Sequence, residues 1–168
     1  MRPGPRLGVD VGRARVGVAS CDPAGVLATP LETVPRTPRA ITRIAELAHE
    51  TGAMEIVVGL PLSLDGSDTP STADARAVAA QLAEVVPMPV RLVDERLSTV
   101  GAQRQLRAAG RSSRDSRSVV DQAAAVIILQ NALDSERRAG HAPGTLVEPA
   151  PSGPVGTDDR PRGATESG

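Results

Sequence analysis

The chain has 168 residues, the length of one domain, with a net charge of −1 and one cysteine, Cys21. A single cysteine excludes an internal disulfide framework and zinc sites of the paired CxxC type. All 19 basic residues are arginine, and Phe, Tyr and Trp are absent, which excludes a P-loop lysine, Schiff-base chemistry and aromatic platforms that stack on bases.

The N-terminal segment has the pattern of a β-hairpin followed by a third strand. Apolar residues alternate over 7–11 and again over 15–19, around a short Gly-Arg-Ala turn. Residues 26–34 can form the third strand, in which Pro30 favours an edge or a bulge. Asp10 lies in the middle of the first strand, where a buried carboxylate is costly unless something pairs with it. Nothing in the local sequence explains this aspartate, so it is the first candidate functional residue.

The central part of the chain alternates helices with strands. Apolar spacing predicts helices over 38–52 and 71–86, with Ser71 and Asp74 as a capping pair for the second. Short apolar runs predict buried strands over 55–61 and 90–94, and the segment SLDGSDTPST predicts a loop. Further along, the patterns predict a helix over 99–109, a polar loop over 112–118 and a long buried helix over 118–138. This order predicts an α/β fold with a mixed sheet, three antiparallel strands followed by parallel βα units, and helices on both faces.

The chain divides into a domain over 1–139 and a C-terminal tail. Residues 140–168 are rich in Pro, Gly, Ser and Thr and contain few large apolar residues, so we expect this tail to be disordered. No apolar run approaches the roughly 20 residues of a membrane span. The first residues, MRPGPR, are not followed by a hydrophobic signal core. We therefore expect a cytoplasmic protein without a membrane partner.

Carboxylates occur at three separated places where they favour a shared function. Asp10 is in a strand, and Asp94 and Glu95 stand at the carboxyl end of the last predicted strand, where parallel α/β sheets bind ligands. Asp121 opens the long helix on a face that is otherwise apolar. If these acids converge, their repulsion calls for a cation, and Mg²⁺ or Mn²⁺ prefers such oxygen ligands. Two such ions about 4 Å apart form the arrangement that cleaves phosphodiesters.

Each of the later acids also has a purely structural interpretation. Asp121 could cap the long helix together with Ser118. Glu95 could pair with Arg96 or with another arginine, and Asp94 could cap the turn that follows it. Strand periodicity does not choose between Asp94 and Glu95, because neighbouring residues point to opposite faces.

Arginines concentrate between the last predicted strand and the long helix. This stretch contains one acid and five arginines: Arg104, Arg107, Arg111, Arg114 and Arg117. The cluster is either a solvated helix face and loop or a phosphate-contacting patch, since arginine binds phosphate well. Charge alone does not decide between these interpretations.

Four blocks of the sequence, in this order, resemble the YqgF/RuvX family of pre-16S rRNA nucleases, which are related to RuvC-type Holliday junction resolvases. The blocks are GVDVGRARVGVA (8–19), IVVGLPLSLDGS (56–67), VRLVDERLST (90–99) and VDQAAAVIIL (120–129). The resemblance implies an RNase H-like fold, in agreement with the predicted element order. It also implies a triad of metal-binding catalytic acids at Asp10, Glu95 and Asp121, with Asp94 as the less favoured second ligand.

The resemblance extends to residues that would contact nucleic acid. Arg15 and Arg96 would hold the scissile phosphate or its neighbours. The loop between Gly59 and Gly66 would approach the backbone closely. Apart from the resemblance, the hypothesis of a nuclease gives the arginines of 104–117 the role of positioning the nucleic-acid backbone rather than reading its sequence.

The activity implied is that of a hydrolase acting on ester bonds, with in-line attack on a phosphodiester by metal-activated water. The leading hypothesis is a nuclease in 5′-end processing of pre-16S rRNA during ribosome biogenesis. A first alternative is a resolvase acting on four-way DNA, which would need a homodimer for two symmetric cuts. A second is a non-catalytic nucleic-acid binding or assembly factor, which would tolerate loss of the acids but not of the arginines. The sequence does not choose between a monomer and a homodimer.

Overall fold

A six-stranded mixed sheet forms the centre of the molecule. The computed structural model describes the backbone of residues 2–97 and 114–149 and the side chains of residues 2–96 and 122–149. In the order β3-β2-β1-β4-β5-β6, the strands are β1 (Leu7–Val11), β2 (Arg15–Cys21), β3 (Ala28–Pro35), β4 (Ile56–Leu60), β5 (Val90–Asp94) and β6 (Thr145–Leu146). β1 to β3 are antiparallel, β4 and β5 run parallel to β1, and β6 is antiparallel to β5. The predicted mixed sheet is therefore confirmed.

In the described part of the chain three helices cover the sheet, and they lie on both of its faces, as predicted. α1 (Ala40–Thr51) and α2 (Pro70–Val85) pack on one face, and α3 (Arg114–Ala139) packs on the other. Alternation along the strands assigns each side chain to a face: Leu7 and Val9 belong to the core beneath α1 and α2, whereas Val57 belongs to the core beneath α3. No helix in the described ranges is long and apolar enough to cross a membrane.

The helix ends follow local chemistry that the sequence predicts only in part. α1 ends at Gly52, which adopts a φ of 66° that favours glycine. α2 begins with a capping box between Thr69 and Thr72, and Pro70 occupies the first helical position. The predicted capping pair of Ser71 and Asp74 is therefore wrong.

The C-terminal part of the chain differs from the prediction at two places. α3 begins at Arg114, so residues 114–118 are helical rather than a loop. Arginine is a good helix former and an acid in the first turn suits the helix dipole, which explains why a polar stretch can begin a helix. The predicted helix over 99–109 lies outside the described residues.

The second difference is a strand in the segment predicted as a disordered tail. β6 pairs with β5, Leu146 beside Arg91 and Thr145 beside Leu92, and the amide of Val147 donates to the carbonyl of Val90 over 2.8 Å. The open edge of β5 offers backbone hydrogen bonds to any extended segment, whatever its side chains. The amino-acid composition of the segment does not show whether it can pair with that edge. The boundary between the domain and the tail stays a prediction.

A buried network of charges lies where the parallel strands begin. Arg6, Glu55 and Glu136 are each at most 2% exposed. Glu55 accepts from Arg2 at 3.0 Å and from Arg91 at 2.7 Å, and Glu136 accepts from Arg2 at 2.8 Å and from Arg6 at 3.3 Å. The hydrogen bond from Arg2 is the main reason that the pKa of Glu136 falls to about 2. The network fixes the C-terminal end of α3 beside the start of β1.

Candidate active site

Asp10 lies inside the protein on the α3 side of the sheet. It is 4% exposed and pairs with Gly17 in the β1–β2 ladder. Because strand residues alternate between faces, Asp10 shares its face with Gly8, above which Leu129 of α3 packs. The hairpin predicted from the sequence thus buries an acid beneath a helix.

Glu95 reaches the same face from the end of β5. It is the first residue of a single 3₁₀ turn, Glu95–Leu97, and is 5% exposed. A Cβ on Gly59 would lie 2.6 Å from the Oε2 atom of Glu95 and 2.5 Å from Cδ1 of Ile128. Only a residue without a side chain leaves room for this carboxylate between β4 and α3.

The register of the sheet brings the two acids together. Val9 of β1 pairs with Val58 of β4, so the next residues, Asp10 and Gly59, are neighbours across the sheet. Adjacent strands are about 4.8 Å apart. The carboxylate of Glu95, which lies over Gly59, is therefore about one strand spacing from Asp10. The structure brings together two of the sequence-predicted acids from opposite halves of the domain.

Burial shapes the acid chemistry of this pair. Loss of water, with a smaller contribution from the negative charge of Asp94, raises the pKa of Glu95 to about 7. A carboxylate in such a place is stabilised by a proton or by a nearby cation. The position is thus suited to a metal ligand.

Asp94 has a different environment. Its carboxylate accepts from the Arg96 guanidinium, Nη2 to Oδ2 at 2.7 Å, and from the Arg96 amide at 2.8 Å. The side-chain hydrogen bond from Arg96 lowers the pKa of Asp94. Asp94 therefore keeps Arg96 in place at the surface, whereas the carboxylate of Glu95 is buried over Gly59.

The backbone of Asp121 lies in α3, one turn before Ala125. A Cβ on Gly8 would lie 3.0 Å from the carbonyl oxygen of Ala125, so this helical face touches β1. Glu136 near the other end of α3 bonds Arg6 at the start of β1, which means that α3 runs antiparallel to β1. Position 121 therefore lies toward the strand ends that carry the other two acids. The side chain of Asp121 is outside the described part.

The predicted nucleic-acid-binding arginines are described unequally. Arg15 begins β2 and is half-buried, and Arg96 lies with Nη1 3.0 Å from the position of a Cβ on Gly66. Arg104, Arg107 and Arg111 lie outside the described residues, and for Arg114 and Arg117 only the helical backbone is described.

The loop after β4 is held rigidly next to Arg96. Asp65 accepts hydrogen bonds from the hydroxyls of Ser63 and Ser67 and from the Ser67 amide, and these bonds lower its pKa. Gly66 adopts a φ of 87°, which a side chain would strain. The family-like Gly59–Gly66 segment thus forms a fixed rim beside the acids.

Sequence reasoning missed Arg36, which fastens the β1–β2 turn. Its Nη1 donates to the carbonyl of Gly12 at 2.8 Å, and the guanidinium binds both carboxylate oxygens of Asp74, at 2.9 and 3.1 Å. The three partners are separated by dozens of residues, so no local pattern could have indicated the contact. This bond fixes the turn that follows Asp10.

The acids fit a hard divalent cation as far as their side chains are described. Asp10 and Glu95 offer carboxylate oxygens, the donors that Mg²⁺ and Mn²⁺ prefer. Within residues 2–96 and 122–149, no group of three His, Cys, Asp or Glu side chains could hold a metal ion. The backbone of Asp121 lies in α3, and its side chain is outside these ranges.

A family model described as "RuvX: Holliday junction resolvase" matches residues 4–135. The match covers the strands and the helix that carry Asp10, Glu95 and Asp121. The chain belongs to this family. Its RuvX-family relatives include the "Putative pre-16S rRNA nuclease" of Clavibacter michiganensis subsp. michiganensis, 58% identical over 150 residues that cover 88% of this chain and 93% of the relative. The protein of the same name from Streptomyces avermitilis is 58% identical over 151 residues, covering 88% and 97%.

A solved structure supports the fold assignment. The structure of Thermus thermophilus RuvC in complex with a Holliday junction substrate matches with a TM-score of 0.53 at 18% identity, over 85% of this chain and 99% of RuvC. A second T. thermophilus RuvC structure matches with a TM-score of 0.51. The RuvX-family chain therefore has the RNase H-like fold of RuvC, as the sequence resemblance implies.

Proposed function

We propose that this RuvX-family protein is a nuclease that hydrolyses phosphodiester bonds in structured RNA, with a divalent metal ion, in 5′-end processing of pre-16S rRNA. The observation that carries the proposal is the juxtaposition of two buried carboxylates: Asp10 on β1, and Glu95, which follows β5 and lies over Gly59 of the intervening strand β4. The names of the 58% identical relatives support rRNA as the substrate.

In this proposal Asp10, Glu95 and Asp121 hold Mg²⁺ or Mn²⁺. A bound ion would activate water for attack at neutral pH and would neutralise charge on the phosphate. The chain's own part is to keep the carboxylates close together in a water-poor place, where their repulsion favours a cation over two free charges. The space over Gly59 keeps the Glu95 carboxylate in position.

In this proposal Arg96 orients the substrate. Asp94 binds its guanidinium on one side, and the loop at Gly66 touches it on the other. The side chain is 35% exposed, so its remaining N–H groups can reach a phosphate oxygen. A bidentate guanidinium–phosphate contact fixes both the position and the orientation of the phosphate.

A second candidate, resolution of four-way DNA, is favoured by the description of the family model and by the RuvC-like fold. It requires two active sites that act together, hence a dimer. A binding factor without catalysis would need no metal-binding acids at all.

The test incubates the purified protein with an end-labelled pre-rRNA leader and, separately, with a four-way DNA junction. Each reaction contains Mn²⁺, Mg²⁺ or EDTA. Asp10→Asn is the active-site variant, and Asp134→Asn, which removes a half-exposed acid that bonds Arg137 on α3, is the matched control.

We expect metal-dependent cleavage of the RNA by the wild type and the control, and none by Asp10→Asn. Preferential cleavage of the DNA junction would replace rRNA processing by junction resolution. Binding without cleavage, equal in Asp10→Asn, would refute the nuclease and leave a binding factor.

A further inference from the structure

Most arginines of the described part are neutralised by acids of the same chain. Ion pairs of 3.6 Å or less engage Arg2, Arg6, Arg36, Arg43, Arg76, Arg91, Arg96 and Arg137. Among the side chains described, three arginines form neither an ion pair nor a side-chain hydrogen bond, and all three are exposed: Arg13, Arg39 and Arg138. These positive charges are available to an external anion.

Two of the three lie on neighbouring loops beside the candidate active site. Arg13 is in the β1–β2 turn, three residues after Asp10, and Arg39 immediately precedes α1. The amide of Arg36 donates to the carbonyl of Ala14 at 2.9 Å, which ties the two loops together. Arg138, by contrast, is near the C-terminal end of α3, where it lines a cavity together with Asp94 and Thr145.

Nearby acids do not neutralise the positive charges of Arg13 and Arg39. The acid that acts electrostatically with Arg13 is Asp74, and both of its carboxylate oxygens already accept from Arg36. That bond is the main reason that the pKa of Asp74 is lowered. With Arg36 and Asp74 matched, Arg13 and Arg39 add two uncompensated positive charges to this edge of the sheet.

We propose that Arg13 and Arg39 form a phosphate-binding pair, over which the substrate strand leaves the active site toward the start of α1. The inference rests on the proposed function, whose site it extends. β3, which leads into Arg39, is two strands from β1, or about 10 Å. One strand of a nucleic acid carries a phosphate about every 3.4 Å along its axis. The pair therefore contacts phosphates that begin about three nucleotides from Asp10 and continue away from it.

The geometry explains why these residues bind rather than catalyse. Arg13 and Arg39 lie outside the buried pair of carboxylates, at exposed loop positions. Arg36 has already fixed the loops, so binding costs little further backbone ordering. Each contact releases counterions from the nucleic acid, and its contribution is therefore sensitive to salt.

The test measures RNA binding from 50 to 200 mM salt for Arg13→Ala, Arg39→Ala and the double variant, all in an Asp10→Asn background, so that cleavage cannot interfere. Arg137→Ala is the matched control, because it removes a positive charge at the opposite edge of the sheet, where Arg137 donates to the carbonyl of Gly25 between β2 and β3. We expect each loop variant to reduce the slope of log K against log salt by about 0.7 to 0.9, the double variant by about twice that, and the control by nothing. Arg13→Lys should retain the slope.

Cleavage kinetics in the otherwise wild-type protein distinguish binding from chemistry. We expect a raised KM and an unchanged kcat for the loop variants. A series of RNAs shortened step by step from one side of the cut tests the position of the pair. The difference in KM between the wild type and Arg39→Ala should disappear once the RNA ends within about three nucleotides of the cut.

Salt slopes for the loop variants equal to that of Arg137→Ala would overturn the inference, as would a fall in kcat without a change in KM. Failure of the proposed function looks different. In that case the wild type does not cut the RNA, while the binding slopes still report whether Arg13 and Arg39 contact phosphate.

Discussion

Replacement of Glu95 by glutamine tests whether the ionised form of this buried carboxylate lowers the free energy of unfolding. Burial, with a smaller contribution from Asp94, raises the pKa of Glu95 from its ordinary 4.5 to about 7. An acid with a higher pKa in the folded state binds its proton more tightly when folded. The free energy of unfolding therefore falls as the pH rises from about 4.5 through 7, by about 3 kcal/mol in total.

Glutamine has nearly the shape of glutamic acid and cannot ionise. The metal-free variant Glu95→Gln should therefore equal the wild type in stability near pH 4 and exceed it by about 3 kcal/mol at pH 8 or above. Urea unfolding in EDTA at pH 4, 6 and 8 measures the difference. Glu84→Gln, an exposed glutamate on α2, is the control and should show no such trend.

Addition of Mn²⁺ should reverse the order at pH 8, because the ion stabilises the ionised wild-type site and not the amide. A wild type that is as stable as Glu95→Gln at pH 8 in EDTA would refute the reasoning. It would mean that a positive charge of the chain, rather than a proton or a metal ion, compensates Glu95.

Three further substitutions test the packing that positions the site. Gly59→Ala places a Cβ 2.6 Å from Glu95 Oε2, so we expect Mn²⁺ affinity by calorimetry to fall about tenfold or more, and unchanged affinity would contradict the account. Gly8→Ala places a Cβ 2.6 Å from Cβ of Leu129 and must shift α3, which should cost about 1–3 kcal/mol in urea unfolding; a cost near zero would show that the helix moves freely. Glu55→Gln removes a buried charge bonded to two arginines and should cost about 3–5 kcal/mol by the same measurement, whereas a loss below about 1 kcal/mol would indicate that water replaces it.

The sequence predicts the sheet well because apolar residues alternate along its strands according to the face on which they are buried. Leu7 and Val9 face one core, so Asp10 must face the other side of the sheet, and the structure has this arrangement. The continuous apolar run of β4, all five residues of which are buried, likewise indicates a strand covered on both faces. Element ends depend on single hydrogen bonds, such as that between Thr69 and Thr72, and are therefore harder to predict.

The candidate site is predictable in its parts but not in its geometry. The choice between Asp94 and Glu95 depends on a 3₁₀ turn and on the space above Gly59, a residue 36 positions earlier in the chain. Strand periodicity contains neither piece of information. The sequence pattern thus identifies the acids, and only the folded chain shows which of them share a face.

The buried charge network was not foreseen for a similar reason. Arg6, Glu55 and Glu136 resemble ordinary surface charges, because charged residues are seldom fully buried. Their partners are up to 134 residues away, in the hydrogen bonds between Arg2 and Glu136. Local sequence patterns do not show ion pairs between residues that are so far apart in the chain.

The central claim is that Asp10 and Glu95 form one metal-dependent cleavage site, and calorimetric titration of Mn²⁺ into matched variants tests it most directly. The account predicts that the wild type and Asp134→Asn bind the ion with the same affinity and cut the RNA. Asp10→Asn and Glu95→Gln should each bind at least about tenfold more weakly and cut none. Wild-type Mn²⁺ affinity in either active-site variant would contradict the claim that the two carboxylates share one ion.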